Sequence, residues 1–291
     1  MPPVQTVATI RRIEPVGAYH RLILHAPAAA AADVRPGHFG ALAIGGRDGA
    51  MLLRRAFSVH RADPATGTVE FVFAERGKGT RALARHRPGD TVDLIAPLGT
   101  PFPLPEGPVS AVLVAGGYGS APLFSLAETI LGRGGRVSFV LGAATADRLF
   151  GVERARTLGE HVLVVTDDGS AGRRGRVTDP LAEAIAGIGA TEVHSCGPMG
   201  MLRAVTEVAV AAGARSHTAV EEAMACGIGI CMSCVLPVTG ADGVTRFLRS
   251  CTDGPVFDGT TVRWDRAGTL PPDLEGAAAM APRQPGGVIA R

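Results

Sequence analysis

The chain has 291 residues, long enough for two or three domains with separate cores. With 46% hydrophobic and 19% charged residues it reads as an ordinary globular protein rather than a disordered or fibrous one. A net charge of +2, no run of like charges and only 4% aromatics leave neither an electrostatic nor a stacking case for nucleic acid.

The opening "MPPVQTVATIRRIEPV" lacks the basic-then-apolar layout of a secretory signal, so a cytoplasmic protein is expected. Six short alternating segments follow: "VQTVATIRRIEP", "YHRLILHAP", "HFGALAIGG", "AFSVHRA", "GTVEFVFAE" and "DTVDLIAP". Turn residues such as "RPG" and "DPATG" separate them. Six antiparallel strands of this length predict a small closed barrel over residues 1–105, with one helical piece at "GTRALARH". Two stretches of the barrel carry polar groups suited to a ligand. In "RRAFS", Arg55 can pair with a phosphate, Phe57 can lie along a ring and Ser58 can bond a polar ring atom. In "RGKGT", the glycines open a short helix and can seat a pyrophosphate, although the residue order of a P-loop is missing. An ordinary strand and an ordinary turn remain the plain alternatives.

Near residue 108 the pattern changes to strand and helix alternating four times, which predicts a parallel sheet flanked by helices over residues 106–215. The uncharged stretch from Gly107 to Ala127 is broken by Gly116, Gly117, Gly119 and Pro122. It therefore reads as strand, glycine turn and helix, not as a membrane span. The turn "AGGYGSAP" follows G-G-x-G-x-x-P rather than the G-x-G-x-x-G fingerprint. Its glycines would let a pyrophosphate approach the helix that follows; a packing turn is the alternative. "SCGPMGML" sets Cys196, Gly197 and Pro198 at the carboxyl end of the fourth strand, where ligands of such sheets bind; a small buried hydrophobe is the alternative for the cysteine. Asp167, closing the third strand, joins these as a candidate contact. No acidic residue closes the second strand at "VLGAA", while Arg173, Arg174 and Arg176 can meet a 2′-phosphate or form a solvated turn. NAD and NADP both stay open.

From about residue 216 regularity is expected to end, and four of the five cysteines appear. Cys226, Cys231 and Cys234, followed by Cys251, give C-x4-C-x2-C plus one, the spacing of plant-type [2Fe–2S] ligation. Gly227 and Gly229 let the backbone wrap closely around sulfur. A reducing compartment disfavours disulfides; the alternatives are an unligated group in a buried turn and a zinc ribbon, which more often shows two C-x2-C pairs or nearby histidines. A small cluster domain is expected over residues 216–265, then an Ala/Pro/Gly-rich tail over 266–291 that is mobile or forms an arm.

Taken together, "RAFS", "GKGT", "PLGTPF", "GGYGSAP", "CGPM", "EEAMACGIGICMSC" and "CTDGPVF" resemble the electron-transfer subunits of class 1B dihydroorotate dehydrogenases, within the ferredoxin–NADP reductase superfamily. The resemblance covers about residues 4 to 262, in the family's order of motifs. It implies a six-stranded antiparallel flavin barrel, a parallel-sheet nicotinamide domain and a C-terminal [2Fe–2S] domain. Arg55, Ala56, Phe57 and Ser58, with Val72, Phe73, Ala74, Gly79 and Thr80, would hold FAD. Gly116, Gly117, Gly119, Pro122, Asp167, Cys196, Gly197 and Pro198 would flank NAD, with Ser58 and Cys196 as the candidate catalytic residues. Cys226, Cys231, Cys234 and Cys251 would hold the cluster. Ala56 stands where the family usually has proline, Ala223 where an arginine is common, and the tail is not a family feature. The implied partner is an FMN-containing catalytic subunit, in a heterotetramer, with electrons running from dihydroorotate through FMN, cluster and FAD to NAD⁺. The other readings are a reductase subunit of a hydrogenase, transhydrogenase-like or biosynthetic complex, and a redox-sensing module.

Overall fold

The computed structural model describes residues 2–45, 51–104 and 106–276. The six alternating segments form β1 (Val4–Val16), β2 (Tyr19–His25), β3 (Phe39–Ala43), β4 (Arg55–Asp63), β5 (Thr68–Phe73) and β6 (Thr91–Leu98). They close into an antiparallel barrel in the order β1-β2-β5-β4-β3-β6. The period of two sends Ile10, Leu22, Leu24, Leu42, Phe71 and Leu94 inward, where each is fully buried. Each such side chain contributes about 1.5–3 kcal/mol by leaving water. The expected helix is α2 (Lys78–Ala84), whose Leu83 enters the same core. A shorter one, α1 (Ala28–Ala32), was not expected. Five alanines in a row have good helix propensity but no polar face to reveal the period.

The second half contains β7 (Ser110–Gly116), α3 (Leu123–Gly132), β8 (Arg136–Ala143), α4 (Val152–Leu158), β9 (Val162–Thr166), β10 (Arg173–Arg174), α5 (Leu181–Ile188), β11 (Glu192–Cys196), α6 (Met199–Ala211) and β12 (Arg215–Ala219). After it come the hairpin β13 (Val235–Thr239) and β14 (Thr245–Arg249), then β15 (Val256–Asp258). One sheet has the order β10-β9-β8-β7-β11-β12-β15, parallel except that β15 runs antiparallel to β12. Regularity therefore does not end at residue 216, and β12 straddles the expected boundary. Its polar sequence hides it: Ser216 and Thr218 are buried, and the Ser216 hydroxyl shares a hydrogen bond with Thr206 on α6 at 3.0 Å. Hydropathy misses a strand whose inward positions are filled by hydroxyls.

Strand order reverses between β7 and β11, so their carboxyl ends flank the crevice where ligands of such sheets bind. The barrel is fastened beside that crevice by Ala18 N–H to the Asp147 carbonyl (3.2 Å) and the Tyr19 hydroxyl to the Arg148 carbonyl (2.6 Å). The segment before β15 is tied to the barrel's exit: Thr100 donates from its backbone to the Gly254 carbonyl and from its hydroxyl to the Thr252 carbonyl. The start of the expected tail is not loose. Leu274 is buried, Asp273 pairs with Arg263 and accepts from Thr245, and Glu275 N–H donates to the Thr245 carbonyl. Residues 277–291 of that segment lie outside the described residues. Among the described residues no helix is long and apolar enough to cross a membrane.

Candidate functional site

At the crevice, β7 leads through a 3-10 turn (Gly117–Ser120) into α3. A Cβ on Gly119 would collide with the Cys196 carbonyl, so glycine is what lets this turn close against the end of β11. Ser120 clips the turn down by donating to the Phe150 carbonyl at 2.9 Å.

A cavity of about 520 Å³ opens between the barrel and this turn. Its walls include Ala56, Phe57, Ser58, Val72, Phe73, Ala74 and Thr80 from the barrel side and Gly119, Pro122 and Cys196 from the crevice side. Thr80 holds the approach to α2 in shape, its hydroxyl accepting from the Arg76 and Gly77 N–H groups at 2.9 and 3.1 Å. Arg55 and Gly79 stand off this wall. The Arg55 guanidinium lies against Gly79, where a Cβ would come within 2.8 Å of its Nε, and donates to the Leu53 carbonyl.

A second cavity of about 500 Å³ is lined by Gly116, Gly117, Asp167 and Pro198, with Tyr19 and Arg148. A third, of about 350 Å³, shares Gly116, Asp167 and Pro198 and adds Gly142, Arg176 and Thr178. Gly197 lies against Gly116 beneath these walls. The first two cavities share Ala74, Arg76, Tyr118 and Glu221, so the crevice runs continuously from Ser58 to Arg176. Such an elongated, partly apolar groove suits a flat ring system meeting a dinucleotide.

Sequence reasoning missed Glu221 and Met224 as walls, and gave Tyr118 no role. Their only signal was adjacency to motifs: Tyr118 is the x of the glycine turn, and Glu221 and Met224 sit just before Cys226. The Arg76 guanidinium lies 5.4 Å over the Tyr118 ring, and burial pushes the Tyr118 hydroxyl up to about 12. Burial also raises the Glu221 carboxyl, although the residue as a whole is exposed, with Arg76 pulling the other way. Cys196 is buried, and burial together with Glu221 pushes its thiol far above the usual range. At neutral pH it is a neutral thiol that can pack and offer a weak S–H, not a nucleophile.

The four remaining cysteines meet where the loop before β13 faces the end of β14. The Ile228 N–H points at Cys226 Sγ (3.4 Å), the Gly229 N–H at Cys251 Sγ (3.2 Å), and the Ser233 hydroxyl stands 3.2 Å from Cys231 Sγ. A loop that aims N–H groups at sulfur is a cradle for thiolates. Gly229 takes φ of +82°, which allows this wrap, and the Arg249 guanidinium holds it by donating to the Gly229 carbonyl at 3.2 Å. Hydrogen bonds from Ser233 lower the exposed Cys231 thiol to about 6, whereas burial and Cys234 push Cys251 up to about 12. Cys231 interacts with Cys226, and Cys251 with both Cys234 and Cys226, so the four thiols form one connected group. Among the described residues no three His, Cys, Asp or Glu side chains converge to hold one ion. Four thiols at this spacing, with backbone N–H groups aimed at two of them, suit a two-iron cluster, which takes two protein ligands per iron.

The cavity and the thiols adjoin. Met224 and Phe39 line the first cavity, and both pack in the apolar cluster that encloses Cys234 and Cys251.

Comparison with known proteins agrees with this layout. Residues 221–263 match the model of the iron–sulfur cluster binding domain of dihydroorotate dehydrogenase B, and residues 113–207 that of an oxidoreductase NAD-binding domain. The dihydroorotate dehydrogenase B (NAD(+)) electron transfer subunit of Geobacillus thermodenitrificans is 40% identical over 208 residues, covering 71% of this chain and 78% of that one. The Bacillus cereus (strain B4264) subunit is 37% identical over 210 residues, covering 72% and 79%. Among solved structures, an NADH-dependent reduced ferredoxin–NADP oxidoreductase, studied for flavin-based electron bifurcation, superposes with a TM-score of 0.78 at 28% identity, covering 89% of this chain and 91% of its own. A ferredoxin NADP⁺ reductase from Neisseria gonorrhoeae with bound FAD and NADP shares the fold, with a TM-score of 0.59 at 21% identity over 72% of this chain and 92% of that one. With a barrel, a nicotinamide-type sheet and a four-thiol loop in the same order, the chain belongs to the family of dihydroorotate dehydrogenase B electron transfer subunits.

Proposed function

We propose that this chain passes electrons between an FMN-containing, dihydroorotate-oxidising partner and NAD, using one FAD and one [2Fe–2S] cluster. The observation that carries this reading is the position of the 520 Å³ cavity, which opens on one side to the nicotinamide crevice and abuts the Cys234 and Cys251 thiols on the other. Nicotinamide exchanges electron pairs, an iron–sulfur cluster exchanges single electrons and a flavin accepts both, so a flavin belongs between them. In this reading Phe57 and Ser58 lie along the flavin ring, and Gly119 and Pro122 let the nicotinamide end approach it. Cys196 fills the contact as a neutral thiol, and Asp167 meets the ribose of the dinucleotide. Cys226, Cys231, Cys234 and Cys251 ligate the cluster. All five cysteines are unpaired thiols, which suits a reducing, cytoplasmic setting.

A second reading, a subunit of a transhydrogenase-like complex, draws on the superposition with the ferredoxin–NADP oxidoreductase over 89% of the chain. Anaerobic co-purification from the native host separates the two. The first reading expects about one FAD, two irons and two sulfides per chain, a flavoprotein partner, and NAD⁺ reduction driven by dihydroorotate. Stoichiometric zinc without labile sulfide, or a complex indifferent to dihydroorotate, would overturn it.

A further inference from the structure

Strand β4, which carries Phe57 and Ser58 into the first cavity, contains an irregularity two residues further on. Val59 pairs with Phe71 and Arg61 pairs with Glu70, so His60 is an extra residue opposite none, a β-bulge. The alternation confirms the slip. Phe57, Val59 and Ala62 pack toward the barrel core, leaving the two consecutive residues His60 and Arg61 outside it. With Val59 turned inward, alternation sends the His60 imidazole out of the barrel into the nicotinamide-type domain, and the bulge keeps Arg61 on the same outer side. There His60 Nδ1–H donates to the Ala121 carbonyl at 2.7 Å, and the ring stands edge-on to Phe124 (6.0 Å) and Phe150 (5.7 Å). Ala121 belongs to the glycine turn and lines the same cavity as Ser58.

We infer that His60 is a positioning residue that sets how closely the nicotinamide-binding turn approaches the flavin strand. One residue of the flavin-binding strand thereby grips the backbone of the turn, and the grip lies two residues from Ser58. The donor is on the ring nitrogen nearer the backbone, so the link is short, and T-shaped contacts with two aromatic rings confine the imidazole. Burial holds the imidazole below its usual pKa, so it remains a neutral single-proton donor near pH 7.

This inference rests on the reading of the two cavities as flavin and dinucleotide sites. Wild-type holoprotein in which NADH leaves the flavin oxidised would refute that reading, whatever the variants do. The inference itself is tested with His60→Leu, which keeps the packing without the donor, and His60→Asn, whose amide N–H overlays Nδ1. In His60→Leu holoprotein, FAD content and NADH affinity should stay within about twofold, while the limiting rate of flavin reduction falls about tenfold or more. Hydrogen exchange over residues 117–124 should quicken in the same variant. His60→Asn should bring both the rate and the exchange back near wild type. An unchanged limiting rate in the leucine variant overturns the inference, and so does an asparagine variant as slow as leucine. Loss of FAD from both variants also overturns it, because His60 would then be holding the barrel rather than its spacing from the turn.

Discussion

Cys196 and Ser58 reach the same cavity from different sheets, one from the end of β11 and one from β4 of the barrel. Because the Cys196 thiol is kept neutral by burial, its contribution is contact rather than charge. Cys196→Ala should lower the limiting rate of flavin reduction by NADH by about tenfold while FAD stays bound. The pH profile of the wild-type rate should show no ionisation that belongs to this thiol near neutral pH. Stopped-flow absorbance checks both, and an unchanged rate returns Cys196 to simple packing. Asp167 offers a second residue-level test. It lines the second and third cavities at the end of β9, with Arg176 on the wall of the third. In the proposed reading a carboxylate there would accept from a ribose hydroxyl and repel a 2′-phosphate. Asp167→Asn should therefore raise the NADPH/NADH ratio of kcat/KM by about tenfold, read from steady-state diaphorase assays; no change would move the discriminating contact elsewhere.

Elements differed in how openly the sequence declared them. The barrel strands were legible because alternation and turn residues are local signals, and so were the cysteines, whose spacing is their chemistry. β12 was hidden by its own hydroxyls. The bulge at His60 was hidden because "AFSVHRA" alternates well enough on its own, and only the register against β5 exposes the slip. Glu221 and Met224 became cavity walls through the path of the chain back toward the barrel, which no short window encodes. β12 also carries a pH signature. Burial, then the neighbouring His194, lowers the His217 imidazole to about 4, with their rings stacked 5.0 Å apart. The folded state thus holds His217 neutral, whereas the unfolded chain protonates it first on acidification. Its stabilising contribution is complete above about pH 6.5 and is lost as pH falls from there to about 4. Glu192, held near 2 by its hydrogen bond to His194, adds a further loss below about 4.5. His217→Gln should flatten the upper part of this decline, raising Tm at pH 5 relative to pH 7.5 by roughly 3 °C. Calorimetry across that range is the check, and an unaltered slope would place the acid sensitivity outside this edge of the sheet.

At the scale of the whole molecule, the proposed division of labour should be separable. Cys231→Ser removes a thiolate for which oxygen is a poor substitute, while the barrel and the sheet keep their own apolar cores. The variant should retain FAD and NADH-driven reduction of a small two-electron acceptor, and lose exchange with the partner. Partner-linked turnover that survives would route electrons around the thiol loop. That loop also shows its apolar side to solvent, with Ile228 42%, Ile230 76% and Met232 51% exposed. Ile230→Asp should weaken association with the catalytic partner about tenfold or more while sparing the diaphorase reaction. Analytical ultracentrifugation of mixed subunits tests this, and unweakened assembly would put the docking face elsewhere.

The return of β15 to the edge of the large sheet, with Thr100 anchoring the segment before it, has a kinetic consequence. A domain stitched to both neighbours has no tether on which to swing. Transfer between the flavin and thiol sites would thus take place across a gap set at folding, and its rate should be indifferent to added glycerol. Proteins that ferry electrons on a mobile carrier slow down as the solvent thickens.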